Sequence, residues 1–192
     1  MITHIATATV PIRWGEFICH AYRRPDGIEH LALVLGALDS EPLVRVHSEC
    51  LTGDVFASAC CDCAAQRDLA LELIAAEGRG ALVYLRGQEG RGIGLGEKIR
   101  AYALQELGYD TVDANLALGH PVDARDYADA ADVLRHLGAT SIRLLTNNPD
   151  KTAALASHGI TVASQVPILI APTAHNAGYL DTKRERMGHS LR

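Results

Sequence analysis

Aromatic residues are scarce in this chain of 192: one tryptophan, two phenylalanines and six tyrosines, against many alanines and glycines. Long apolar runs are missing as well. The longest are strand-sized, which excludes a membrane-spanning helix. No apolar stretch with a basic start follows Met1-Ile2-Thr3-His4. A signal peptide is therefore not read, and the cytoplasm is the expected compartment. A basic excess is absent too. The formal net charge of -5 speaks against a nucleic-acid binder. A polyanionic small molecule fits only where local Arg and Lys hold it. Repeats, low-complexity tracts and linkers are not found. What is there is ordinary for a globular protein, 48% apolar and 21% charged, with length enough for one large domain.

Five cysteines are present, and four of them, Cys50, Cys60, Cys61 and Cys63, crowd into residues 50–63. In a reducing compartment a disulfide framework is not expected, least of all from an odd number with two adjacent members. Thiolates this close point to a metal, zinc first. Spacing leaves the ligands open. Cys60-x-x-Cys63 is the commoner knuckle spacing, Cys61-x-Cys63 is tighter, and Cys50 is the third ligand in either case. His47 or Glu49 could close the shell and make a structural site. Three thiolates alone would leave a position for water and make a catalytic one.

The first fifty residues read as strands over Ala6–Ile12, Glu16–Tyr22, His30–Leu38 and Leu43–Val46, with a turn at Pro25-Asp26-Gly27. Helical spacing then takes over through Ala65, Leu69, Leu73 and Ala76, with Asp62 as N-cap and Gly78 as stop. Ala81–Leu85 is a buried strand. Helices follow over about Glu97–Leu107 and Ala124–Leu137, then a strand at Ser141–Leu145. Thr146-Asn147-Asn148-Pro149 turns into a third helix ending near His158-Gly159, and Ile160–Val166 is the last strand. Such alternation predicts an α/β fold: a mixed sheet, β-rich at the N-terminal end, with a strand/helix core. One domain is expected over 1–170, followed by a mobile tail over 171–192.

Between a strand and a helix lie Gly87, Gly90, Gly92, Gly94 and Gly96. Backbone N–H groups and a helix N-terminus there would suit phosphate, and a flexible connector is the plainer reading. The string matches neither a P-loop nor a dinucleotide fingerprint. Arg91 could pair with phosphate oxygens and Glu89 could hold Mg²⁺. Asp123 and Arg125 offer either a helix cap with a solvated face or a carboxylate and a guanidinium at a pocket rim. Thr146 to Lys151 sit at a strand-to-helix turn, where α/β sheets bind ligands.

Taken together, several stretches resemble GTP cyclohydrolase II. They are Arg45–Asp54, Cys61-Asp62-Cys63, Gln88–Leu95, Lys98–Tyr102, Gly108–Val112, Leu144–Pro149 and Tyr179–Lys183. The likeness covers almost the whole chain and is that of the stand-alone form. It implies zinc on Cys50, Cys61 and Cys63 with an activated water. It implies GTP contacts from Arg45, Val46, His47, Ser48, Glu49, Gln66, Glu89, Gly90, Arg91, Thr111, Thr146 and Lys151, and Mg²⁺ with the triphosphate. Asp123 matches the family's proton acceptor, Arg125 its nucleophile and Tyr102 a tyrosine that assists at the ring. Since a guanidinium stays protonated, charge stabilisation at the α-phosphate is the other role open to Arg125. The resemblance also implies a homodimer and the first step of riboflavin biosynthesis. Departures from the family pattern are Cys60 for arginine, Ala64 for glycine, and Leu95-Gly96-Glu97. They admit a specialised paralogue that stops at the formylated intermediate. A non-catalytic zinc or nucleotide module is the third reading.

Overall fold

A computed structural model describes residues 1–188. Seven strands form one sheet: β1 (Thr3–Ile12), β2 (Gly15–Arg23), β3 (Glu29–Leu35), β4 (Leu43–Ser48), β5 (Gly80–Leu85), β6 (Ser141–Leu145) and β7 (Thr161–Val166). Their spatial order is β1-β2-β3-β5-β4-β6-β7. The pairs from β1 through β3 to β5 are antiparallel, and those joining β5, β4, β6 and β7 are parallel. The helices are α1 (Leu51–Asp54), α2 (Cys63–Glu77), α3 (Leu95–Glu106), α4 (Thr111–Ala117), α5 (Ala128–His136), α6 (Pro149–Ser157) and α7 (Ala177–Met187), with a 3-10 turn at Glu89–Gly92.

The period of two along the central strands sorts side chains to two faces. Val44 and Val46 of β4, and Ala81, Val83 and Leu85 of β5, pack with Ala130, Val133 and Leu134 of α5 and Leu155 of α6. Leu43, Leu82 and Leu145 turn the other way, onto Ala70, Leu71 and Ile74 of α2. Both central strands are buried on both faces. β5 reads as a near-continuous apolar run, whereas β4 carries Arg45 and His47 among its apolar residues. β1 is the opposite case: an edge strand exposed at nearly every position. Among the described residues no helix is long and apolar enough to cross a membrane.

The mixed α/β sheet expected from the sequence is found, with differences in detail. Asp62 stands at the N-cap of α2 but makes no side-chain cap bond. Its carboxylate is taken by Lys183 and Gln66 instead. α5 begins at Ala128 rather than near Ala124, because Ala124 N donates to Arg91 O and residues 124–127 are held against the glycine loop. Asp123 is too far upstream to cap it. α4 has no counterpart among the elements expected from the sequence. It is seven residues long and capped by Asp110, whose carboxylate accepts from the N–H groups of Val112 and Asp113. The segment read as a tail carries α7, with Leu180, Thr182 and Lys183 buried. Residues 189–192 of that tail lie outside the described part.

Candidate active site

β4 ends at Ser48, and Cys50 follows as the N-cap of α1. Cys61 and Cys63 arrive from the start of α2. The three sulfurs all lie within 4.8 Å of one another. A methyl group on Gly53 would sit 2.8 Å from Cys61 Sγ and 3.1 Å from Cys50 Sγ, so only glycine leaves the thiols this space. Cys60 is exposed and stands outside the group. The fit to zinc can be tested on spacing. Tetrahedral Zn–S bonds of about 2.3 Å put sulfurs about 3.8 Å apart. Cys50 Sγ and Cys61 Sγ are 3.8 Å apart. The donor set therefore suits zinc.

Cys61 and Cys63 hydrogen-bond to Cys50 Sγ, and with help from Lys98 they hold its thiol far below the usual range. The same contact pushes Cys61 up to about 11, and Cys63 is raised too. A second thiolate would face the first at close range. Lys98 Nζ donates to Cys50 Sγ at 3.1 Å and to Thr52 Oγ1 at 2.8 Å, and it pairs with Glu89. Glu89 also accepts from the N–H groups of Leu51 and Gly90. Both of its oxygens are thus engaged within the protein, which leaves little for the Mg²⁺ role considered from the sequence.

The glycine loop is held in an unusual shape. Gly90 and Arg91 have φ of 60° and 62°, and for arginine that left-handed backbone is strained. A Cβ on Gly92 would meet the Ala124 backbone at 3.0 Å. Both terminal nitrogens of Arg91 are buried with no partner among the described residues. An unpaired buried guanidinium is costly, and an anion would remove the cost.

Two lobes of one cleft meet here. The cysteine lobe is lined by Glu49, the three thiols, Glu89, Lys98, Tyr102, Gln105, Thr111 and Asn115. The cation lobe is lined by Arg45, His47, Gln66, Thr146, Lys151 and Lys183, with Asp62 as its lining carboxylate. Ser48, Cys63, Arg91, Arg125 and Tyr179 belong to both. A chain of net negative charge thus gathers five basic side chains in one lobe. Lys151 registers the crowding. Burial first, then Arg45 and Arg125, drive its pKa well down. Its Nζ donates to Val46 O at 2.8 Å and lies 5.2 Å from the Tyr127 ring.

Other sequence-picked residues have partners of their own. Arg45 donates to Leu145 O at 2.9 Å and to Gln66 Oε1 at 2.6 Å. His47 Nε2 donates to Asp54 at 3.0 Å, and the ring stacks on Tyr84. Burial keeps this imidazole neutral against the pull of Asp54. Thr146 Oγ1 accepts from Asn148 N at 3.1 Å and shapes the turn into α6. The Val46 side chain is in the core, so only its backbone reaches toward the cleft. Asp123 accepts from Arg125 Nε and backbone N–H and reaches the cleft through that residue. Burial opposes the Asp123 carboxylate, but Arg125 outweighs it and the pKa falls. Burial likewise opposes the Arg125 guanidinium, and Asp123 raises it above its ordinary value. Tyr102 is pushed up to about 12, chiefly by burial.

Lys98, Asn115, Tyr179 and Lys183 received no role from the sequence. A signal for the first existed: Lys98, Ala101, Tyr102 and Gln105 recur at helical spacing and line one lobe. Tyr179 and Lys183 sit on a helix with no apolar stripe to announce it.

Comparison with known proteins gives the family. Residues 3–167 match the family model described as GTP cyclohydrolase II. Riboflavin biosynthesis protein RibBA of Salinispora tropica is 56% identical over 97% of this chain and 48% of its own length. RibBA of Chlamydia trachomatis is 55% identical over 100% of this chain and 46% of its own. The monofunctional riboflavin biosynthesis protein RIBA 3, chloroplastic, of Arabidopsis thaliana is 51% identical over 98% of this chain and 38% of its own. The chain thus spans about half the length of these relatives, or less. The crystal structure of RibBX, a two-domain 3,4-dihydroxy-2-butanone 4-phosphate synthase from A. baumannii, shares the fold. Its TM-score is 0.50 at 21% identity, over 86% of this chain and 40% of that one. By the family model and these identities, the chain belongs to the GTP cyclohydrolase II family of enzymes.

Proposed function

We propose that the chain hydrolyses GTP as the first step of riboflavin biosynthesis. The guanine imidazole ring is opened, formate and pyrophosphate leave, and 2,5-diamino-6-(5-phosphoribosylamino)pyrimidin-4(3H)-one is formed. The observation that carries this reading is a three-thiol metal cradle in one lobe of the cleft and five gathered basic side chains in the other, with the Arg91 guanidinium buried and unpartnered among the described residues where the two meet.

Cys50, Cys61 and Cys63 would hold zinc, which supplies Lewis acidity for activating water. Base and polyphosphate divide between the lobes. Guanine belongs in the cysteine lobe, where Glu49, Gln105 and Asn115 offer polar groups for its edge. Gln66 is less suited to that role, because its Oε1 already accepts from Arg45. The triphosphate, with its Mg²⁺, belongs in the cation lobe against Arg45, Arg91 and Lys151. Arg125 lines both lobes, which supports a role for it where the α-phosphate joins the ribose. Its proton is held more firmly than usual by Asp123, which supports charge stabilisation at the α-phosphorus over nucleophilic attack. One water cleaves the α–β phosphate bond there. In the other lobe one water adds at C8 to open the ring, and another releases formate from the resulting formamide. Tyr102 keeps its proton through neutral pH and can donate it to the departing nitrogen. Its presence in the cysteine lobe favours the full reaction over one halted at the formyl stage. A homodimer belongs to the proposal on the strength of the family resemblance.

The test is bound zinc, GTP turnover and product identity in the native protein, Cys60→Ser and Cys61→Ser. Cys61→Ser should lose zinc and turnover together, and Cys60→Ser should keep both. Zinc loss in Cys60→Ser alone would overturn the ligand set. Native protein that holds zinc but releases no formate would overturn the reaction.

A further inference from the structure

The Tyr179–Lys183 stretch has no part in the chemistry above. α7 nevertheless brings two side chains to the cleft, and Tyr179 lines both lobes. Lys183 Nζ lies 3.0 Å from Asp62 Oδ1, and both groups are buried. Asp62 stands between two of the clustered cysteines. Its other oxygen accepts from Gln66 Nε2 at 2.6 Å, and Gln66 Oε1 accepts in turn from Arg45. Lys183 Nζ is also 4.2 Å from the centre of the Tyr179 ring, with the Arg91 guanidinium 5.9 Å from the same ring.

A buried ion pair is seldom a net source of stability, since desolvating two charges offsets most of their attraction. Its worth lies in fixing one arrangement. The other charged ties of this helix, from Arg186 to Asp110 and Asp113, are exposed and so contribute little. Leu180 and Thr182 are buried as well, but among the described residues the one buried charged tie of α7 is that at the cysteine loop.

We infer that Lys183 is a positioning residue whose ion pair with Asp62 latches α7 across the cleft and holds Tyr179 against bound nucleotide where the two lobes meet. The inference rests on the GTP reading for the identity of that nucleotide. Latching roofs the boundary between the lobes with an aromatic ring. It also ties the roof, through Asp62 and Gln66, to Arg45 on β4. A nucleotide that fills both lobes is thereby enclosed without a separate loop.

Amide hydrogen exchange over 177–187 and steady-state kinetics with GTP test this on the full chain, with bound zinc measured alongside. Lys183→Met should speed exchange in 177–187 by about tenfold or more while leaving β4 and α5 unchanged. KM for GTP should rise by about tenfold with a smaller change in kcat, because loss of the roof weakens binding before chemistry. Lys183→Arg, which keeps the charge, should recover part of both. Should Lys183→Met fail to fold, the Lys183→Met, Asp62→Asn double variant decides, since no buried charge is left unpaired. Exchange and KM within about twofold of native in the double variant would overturn the latch. Failure of the native protein to turn over GTP would overturn the functional reading instead, and the exchange measurement would still judge the latch.

Discussion

β1, β2 and β3 pair antiparallel and contribute no side chain to the cleft, whereas the loops after β4, β5 and β6 contribute most of it. The contrast follows from strand direction. Parallel strands bring their carboxyl ends to one edge of the sheet, so Ser48 to Asp54, Gly87 to Gly94 and Thr146 to Lys151 converge. Antiparallel strands alternate their ends, and their turns diverge. One half of the sheet thus concentrates polar loops, and the other flanks it. β2 and β3 still bury Phe17, Tyr22, Ala32 and Val34 in the two cores, while Ile5, Ile18 and Leu31 remain exposed on the outer surface.

Three changes would break or sharpen this contrast. The largest effect is expected from Gly53→Ala in the parallel half. The added methyl group meets Cys61 Sγ at 2.8 Å, so the thiols must spread. Bound zinc should fall and GTP turnover should drop by about 100-fold, measured together on purified protein. Unchanged zinc with full turnover would show that the cradle has slack. Asp123→Asn is expected to be smaller and dependent on pH. The Asp123 carboxyl titrates below its ordinary value in the folded chain. The unfolded chain therefore takes up its proton first as pH falls, and the stabilisation fades as pH drops through the lowered folded value. The variant should lose roughly 1–2 kcal/mol at pH 7 and converge with the native protein in acid. Parallel stability curves at all pH values would remove Asp123 from the linkage. Ile18→Ser, on the exposed face of the antiparallel half, should leave kcat within about twofold. A large loss of turnover there would break the contrast outright.

How much of this could be read in the sequence depended on how local the signal was. The parallel core was legible because β5 and β6 are short, largely apolar runs between helical stretches, and Gly78, Gly138 and Gly159 stand at the helix ends. The cysteine ligands were not fixed by spacing, since Cys60 and Cys61 are adjacent and equivalent on paper. The fold separates them by turning Cys61 inward toward Gly53 and leaving Cys60 in solvent. α7 was illegible for a different reason. Its docking rests on a buried lysine meeting an aspartate 121 positions earlier, with only Leu180 as a buried apolar side chain. Polar helices attached in this way carry no hydrophobic period for a sequence reading to find. Glu89 shows the same limit from the other side. A carboxylate beside a glycine loop suggests a cation, and the cation turned out to be the protein's own Lys98.

The run from Lys183 through Asp62 and Gln66 to Arg45 and the Leu145 carbonyl bears on how this protein can drift over generations. Each member satisfies its neighbour, and a lone substitution strands a desolvated group on either side. Viable change along the run must come in matched pairs. A lineage that loses Asp62 should lose or replace Lys183 with it, while the solvent-facing residues of the same helix remain free to wander.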